Sequence, residues 1–401
     1  MRATSWGVTK SGAGDATFRD CRFHDNGGRT KYYNGGALKL TGAGAVVTVT
    51  NCLFDGNLST REYASHQQYF AAVGGALSAT TLGRLVLVDT SFVTNGIAIA
   101  DGATTPFGPI SGTGPDGVAL KADSAPVVAR NCRFIGNTAH VWIESGIVTL
   151  VGASGGSAFT NCLFAGNQTP CSNTRVSGNN QYSRYAGAVS MRLSNAAQTV
   201  DFSQCTIAYN LDDSVTGGGG LDVRGGTANI VNSILFGNQR GPGSSGGADI
   251  CVRTNAVLNL SCSLVTANDA ERICCDEGGT ITTDGVIYGD PLLMTDCATY
   301  ESWTVTNRYL SLDYIYNVAS NTTDLCAINA HLRSKTGYTD ETTGELVRMP
   351  RVMSPAIDAG REGTPYANEP SPNGRRANLG FYGNTPYASR SESSGFILVV
   401  R

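Results

Sequence analysis

The sequence predicts an all-β fold, a right-handed parallel β-helix: a solenoid of coils of about 30 residues with loop insertions on one edge. Three observations predict it. A seven-residue motif recurs as "NCLFDGN" (51–57), "NCRFIGN" (131–137) and "NCLFAGN" (161–167). Between the copies lies a glycine-led stretch, as in "GGALKL" (35–40) and "GGALSA" (74–79). The 401 residues include 50 glycines and only 15% charged residues, which suits tight turns and close-stacked backbone and argues against a helical bundle.

The repeat is clearest in its looser copies: "DCRFHDN" (20–26), "DTSFVTN" (89–95), "QCTIAYN" (204–210), "NSILFGN" (232–238) and "SCSLVTAN" (261–268). The closing residues Asn26, Asn57, Asn95, Asn137, Asn167, Asn210, Asn238 and Asn268 are separated by 31, 38, 42, 30, 43, 28 and 30 positions. A base unit with occasional insertions explains that set. Each unit holds a glycine-led strand, a turn, a β-branched strand and the Cys/Phe/Asn stretch, so three strands per coil are expected.

Stacked coils place each residue over its counterpart about 4.8 Å away. Cys21, Cys52, Cys132, Cys162, Cys205 and Cys262 are expected in one interior column. Phe23, Phe54, Phe92, Phe134 and Phe164 stand two residues on, hence on the same inward face. The closing asparagine is expected to turn the corner in the left-handed region. Its amide can bond the next coil's asparagine, making a structural ladder of Asn26, Asn57, Asn95, Asn137, Asn167, Asn210 and Asn238.

Alternating GGA[ILV] and FxxN motifs over about residues 18–268 resemble those of the chlamydial polymorphic outer-membrane proteins, whose β-helical passenger regions are displayed on the cell surface. Ile207 and Leu235 depart from that pattern, and no membrane-barrel domain follows. At the other end, "HLRSKTGY" (331–338), "SPAIDAG" (354–360) and "EPSPNGRRANLGFYGNTPYAS" (369–389) resemble the terminal segment of secreted β-helix proteins from planctomycete-like bacteria. That resemblance implies a segment closing the helix. Three regions follow: the repeat at 1–268, cysteine-containing terminal coils with a closing segment at 269–389, and a following module or linker at 390–401.

A net charge of −3 without a basic stripe disfavours a nucleic-acid partner or a charged membrane surface. No segment approaches the roughly 20 apolar residues of a membrane span, and the N-terminal stretch has no apolar signal-peptide core. The chain begins and ends mid-pattern, which predicts a window of a larger exported protein. A monomer is expected, with no cofactor.

Twelve cysteines are many for a reducing compartment. The six column cysteines are expected to remain buried thiols. Cys251, Cys274, Cys275, Cys297 and Cys326 crowd a region where the repeat fades, and at least one disulfide is expected among them. Zinc is the weaker reading, because "ICCD" is no C-x-x-C pair and no histidine lies nearby.

Parallel β-helices host polysaccharide lyases and hydrolases, but fold alone is no evidence of activity. Such chemistry needs acidic groups converging on a sugar. Asp222 and Arg224 share a face, with Arg192 and Arg253 at similar offsets in neighbouring coils. These four are the catalytic candidates, as base and anion clamp; an exposed ion-pair ladder is the preferred reading. Asp212 and Asp213 are expected in a solvated turn. None of His24, His66, His140 and His331 stands in a Gly-His-Gly setting.

The insertions at 58–73, 96–116 and 168–186 all start after the asparagine and should leave one edge of the helix. That corner carries Tyr32, Tyr33, Tyr63, Tyr69, Phe70, Tyr182 and Tyr185, the ligand-binding candidates, since tyrosine suits sugar rings and protein contacts alike. The expectation is an exported bacterial surface protein, an adhesin, stalk or carbohydrate-binding scaffold. Its partner would be a glycan or a surface protein of a host or neighbouring cell. The alternative is a polysaccharide lyase or glycoside hydrolase.

Overall fold

The computed structural model describes residues 7–27, 36–61, 75–99, 117–139, 146–169, 187–212, 217–241, 244–295, 328–349 and 351–392. Among them there is no helix. The strands form three nine-stranded sheets and one six-stranded sheet, and every strand pair in these four is parallel to its neighbour. In the coil that begins at Leu38, strands Leu38–Thr41, Val46–Thr50, Leu53–Asp55 and Leu58–Arg61 feed the first, second, third and fourth sheets in turn. The chain is thus a parallel β-solenoid.

The fourth sheet is one strand more than the repeat pattern predicts. Its strands are short, from Leu58–Arg61 to Gln239–Arg240, and directly follow the closing asparagines. Four of the six are only two residues long, too short to show an alternation, so periodicity could not reveal them. The paired glycines of the GGA motif make room for this arm. A Cβ on Gly219 would stand 2.1 Å from the Asn210 carbonyl oxygen, so the backbone approach there needs glycine.

The phenylalanine column is continuous. Phe23, Phe54, Phe92, Phe134 and Phe164 are successive Cα partners. Their ring centroids lie 4.5, 4.7, 4.9 and 4.9 Å apart with nearly parallel planes. Ile207 and Leu235 carry the column onward. All of these except Phe23 have almost no exposed surface.

The corners differ from expectation. The left-handed conformation belongs to the first residue of each motif and to the residue before the closing asparagine. Asp20, Asn51, Asp89, Asn131, Asn161, Gln204 and Asn232 have φ of 54, 50, 48, 52, 49, 53 and 52°. Gly56, Gly136, Gly166 and Gly237 have φ near 63° at the second position. Glycine and short amide or acid side chains enter that region at least cost.

The cysteine next to the first corner has a definite task. Cys52, Cys132, Cys162 and Cys205 each donate S–H to the carbonyl two residues back, at 3.3, 3.2, 3.4 and 3.5 Å. Thr90, Ser233 and Ser263 do the same with a hydroxyl at 2.9, 2.9 and 2.8 Å. A small side chain with one donor fits this buried slot. Cys262, expected in the column, instead takes the corner at φ 42°, because Ile234 pairs with Leu264 and so sets Ser263 over Ser233.

The closing asparagines do not turn; they are bonded, and from Asn57 to Asn238 they are buried. Each Nδ2 donates to the next coil's Oδ1 from Asn26 through Asn57, Asn95, Asn137, Asn167, Asn210 and Asn238, at 2.8–2.9 Å. A second Nδ2 bond goes back to a carbonyl, as from Asn137 to Phe92 at 3.0 Å. Asn268 is exposed and takes no part. The last acceptor is Asp249, whose Oδ1 receives Asn238 Nδ2 at 2.9 Å.

Asp249 is fully buried, and burial raises its pKa to about 6 against bonds from Asn238 that favour the anion. The folded state therefore keeps a proton that the unfolded chain has lost above 3.8. Its contribution to stability is complete below that value and is lost as pH rises through about 6. Asp249→Asn keeps the acceptor oxygen and removes the titration. It should unfold at higher urea than the parent at pH 8, with the advantage gone at pH 4.

Residues 328–349 and 351–392 contain little regular structure and pack against the outer face of the third sheet. Leu293, Ile328, Leu332, Ala356, Leu379 and Phe381 meet Ile135, Leu163, Tyr209 and Ile234 in a second apolar core. Asn161 Nδ2 ties the segment down through the carbonyls of Phe381 and Gly383, both at 2.8 Å.

Candidate functional site

The aromatic candidates Tyr32, Tyr33, Tyr63, Tyr69, Phe70, Tyr182 and Tyr185 lie outside the described residues. The stems of their loops are described. Leu58 pairs with Gly96 and Gly96 with Thr138, which in turn pairs with Gln168, so the insertions depart from one stacked edge.

Two of the candidates on the first sheet, Asp222 and Arg253, are buried, and Arg192 and Arg224 are half-buried. Asp222 has no exposed surface, and its Oδ1 accepts Arg253 Nε at 2.8 Å, with Arg224 Nε 3.9 Å from Oδ2. Arg192 continues the arginine position one coil earlier, since Met191 pairs with Val223. The pair is buried, not the exposed ladder expected from sequence. The outward-facing column Thr149, Ser190, Asp222 and Cys251 is covered throughout. Burial raises the Asp222 pKa to about 6 against the two arginines. Asp212, expected in a solvated turn, is likewise buried and accepts Thr169 Oγ1 at 2.8 Å. Asp213 lies outside the described residues.

The expected disulfide is absent among the described residues: Cys251, Cys274 and Cys275 are free thiols, as are all six of Cys21, Cys52, Cys132, Cys162, Cys205 and Cys262. Cys171, Cys297 and Cys326 lie outside the described residues.

What the structure assembles instead is a lateral groove of about 990 Å³ between the solenoid and the terminal segment. One side is the corner column Asp20, Asn51, Asp89, Asn131 and Asn161, one residue per coil. The floor is the outer face of the third sheet, where Arg22, Leu53, Ser91 and Arg133 stand in register. The far wall comes from Glu341, Phe381, Tyr382 and Asn384–Tyr387.

Local forces hold this wall. His331 is sandwiched between the rings of Tyr338 and Tyr382 at 3.8 and 3.6 Å. Burial drives its pKa down to about 3, so it stacks as the neutral imidazole. Tyr382 donates its hydroxyl to Glu341 Oε1 at 3.0 Å, and Arg133 binds the same oxygen while lying 4.9 Å over the Phe381 ring. Glu369 accepts the amides of Asn378 and Asn384, each at 2.7 Å, which pins the 378–384 turn. Along the corner, Asn51 and Asn131 donate to Asp20 and Asp89 at 2.7 and 3.1 Å.

The groove was invisible to repeat analysis because its wall lies outside the repeat. The Asp/Asn at the first motif position was the available signal: a left-handed corner leaves its short polar side chain at the surface, one per coil. Fold and site define a class, the parallel β-solenoid with a polar, aromatic-walled lateral groove. No family model matches the chain, and no curated protein or solved structure matches it.

Proposed function

We propose that this chain is a right-handed parallel β-helix of about 30-residue coils, exported to a bacterial surface as a carbohydrate-binding adhesin or stalk. An extended glycan would lie along the lateral groove. The observation that carries this is the groove's make-up: amide and acid groups repeated at the coil spacing of about 4.8 Å, facing tyrosine rings. Amides and carboxylates bond sugar hydroxyls as donors and acceptors, and Tyr387 offers a flat apolar face with a polar rim. The resemblance to displayed β-helical passenger regions supports the location.

Binding is favoured over cleavage by one feature. Glu341, the carboxylate of the groove's terminal-segment wall, has its Oε1 taken by both Arg133 and the Tyr382 hydroxyl, which ties that oxygen into the wall instead of presenting it to a sugar.

A glycan panel tests the reading, scored for retention and for new reducing or unsaturated ends. Retention without new ends is expected. Tyr387→Ala should weaken it about three- to tenfold, since an aromatic contact is worth about 0.5–1.5 kcal/mol. Ser91→Trp, which fills the floor, should abolish it with little loss of stability. Normal binding by both variants, with loss in Tyr69→Ala/Tyr182→Ala, would move the ligand to the insertion loops. Released ends would make the chain an enzyme.

A further inference from the structure

We propose that Cys274 is a solvent-reactive thiol that exchanges with small disulfides, with Cys251 in the neighbouring coil as its resolving partner. The two are direct Cα partners across a parallel strand pair. Neighbouring strands stand about 4.8 Å apart, inside the Cα separation of about 4.4–6.8 Å that a disulfide spans. Both side chains occupy the outward column that also contains Asp222.

Their surroundings are unequal in the way such a pair requires. Cys251 has no exposed surface, accepts the Gly247 amide at 3.0 Å and donates to the Gly247 carbonyl at 3.3 Å. Cys274 is partly exposed and belongs to Ile273–Cys275, the edge strand of the first sheet among the described residues. No further described coil covers it there. Arg253 lies beside the pair, bonded to Asp222 and 3.6 Å from Asp276.

The neighbouring Cys251 side chain and the Arg253 charge lower the Cys274 pKa to about 7, while Cys274 and burial hold Cys251 well above its usual value against the Arg253 charge. The interior cysteines make the contrast. Cys132, Cys162 and Cys205 stack at the same coil spacing, yet they are wholly enclosed, and burial raises Cys132 and Cys162 well above the usual thiol range. No oxidant reaches them in the folded chain.

The Cys274 thiolate attacks one sulfur of RSSR; the S–S bond breaks and RS⁻ leaves, taking up the proton that Cys274 lost. Cys251 then attacks Cys274 Sγ, its proton going to the second departing RS⁻. Two protein thiols are oxidised to one disulfide, and one RSSR is reduced to two RSH.

The native protein would be incubated with oxidised glutathione, quenched in acid, alkylated after unfolding and mapped by mass spectrometry. The expected product is a Cys251–Cys274 cross-link with no glutathione retained on either residue. In Cys251→Ser the glutathione should stay trapped on Cys274, and in Cys275→Ser the cross-link should form as in the parent. Glutathione fixed on Cys275 with Cys251 and Cys274 both still alkylated would overturn the assignment. The mapping of the unsubstituted protein decides this even if a variant fails to fold.

Discussion

Phe134→Ala is expected to lower the free energy of unfolding by about 3–5 kcal/mol, the range for a fully buried phenylalanine whose cavity cannot collapse. The ring has no exposed surface and is stacked at 4.9 Å on both sides, by Phe92 and Phe164. Each neighbour is pinned in turn by its own coil, so neither can move to fill the void. Phe134→Leu should cost far less, because Ile207 and Leu235 already serve the same column in later coils. Urea unfolding followed by fluorescence and circular dichroism gives the number. A loss under about 1 kcal/mol would mean that the column contributes little beyond ordinary surface contacts.

Asn137→Ala is expected to be comparably severe, for a different reason. The Asn137 amide receives the Asn95 Nδ2 and backbone N–H at 2.9 and 3.0 Å, and donates to Phe92 O and Asn167 Oδ1 at 3.0 and 2.9 Å. Removing it strands several buried polar groups, each costing about 1–3 kcal/mol when left unpaired. Relaxation and entering water would recover part of that sum. Asn137→Asp should be no better, since a buried carboxylate has no hydrogen to donate and repels the carbonyl of Phe92. The same unfolding assay checks both substitutions. Near-parent stability of Asn137→Asp would show that the ladder tolerates a charge in its interior.

The columns were legible because a stacked coil writes each interior position into the sequence at the same offset. Phe23 to Phe164 could be aligned by eye, and so could Asn26 to Asn238. The corner was misread because two left-handed residues flank the motif, and the asparagine that closes it looked like the turn former. Its burial follows from the arm of the fourth sheet, whose strands are mostly too short to show an alternation. The groove was illegible for a simpler reason. Asn161 meets Phe381 across 220 positions, and nothing in residues 328–392 repeats the pattern of the coils they pack against. Burial of Asp222 likewise depends on what covers the first sheet from outside, which period-two reasoning cannot see.

The dependence of affinity on glycan length tests the lateral-groove account most directly. The corner column contributes Asp20, Asn51, Asp89, Asn131 and Asn161, five positions at a spacing of about 4.8 Å. Titration calorimetry with a graded series of oligosaccharides of the retained glycan should show affinity rising with each added sugar and levelling off once the groove is filled, with Ser91→Trp flat throughout. Affinity independent of length, or a Ser91→Trp series that follows the parent, would contradict binding along the groove.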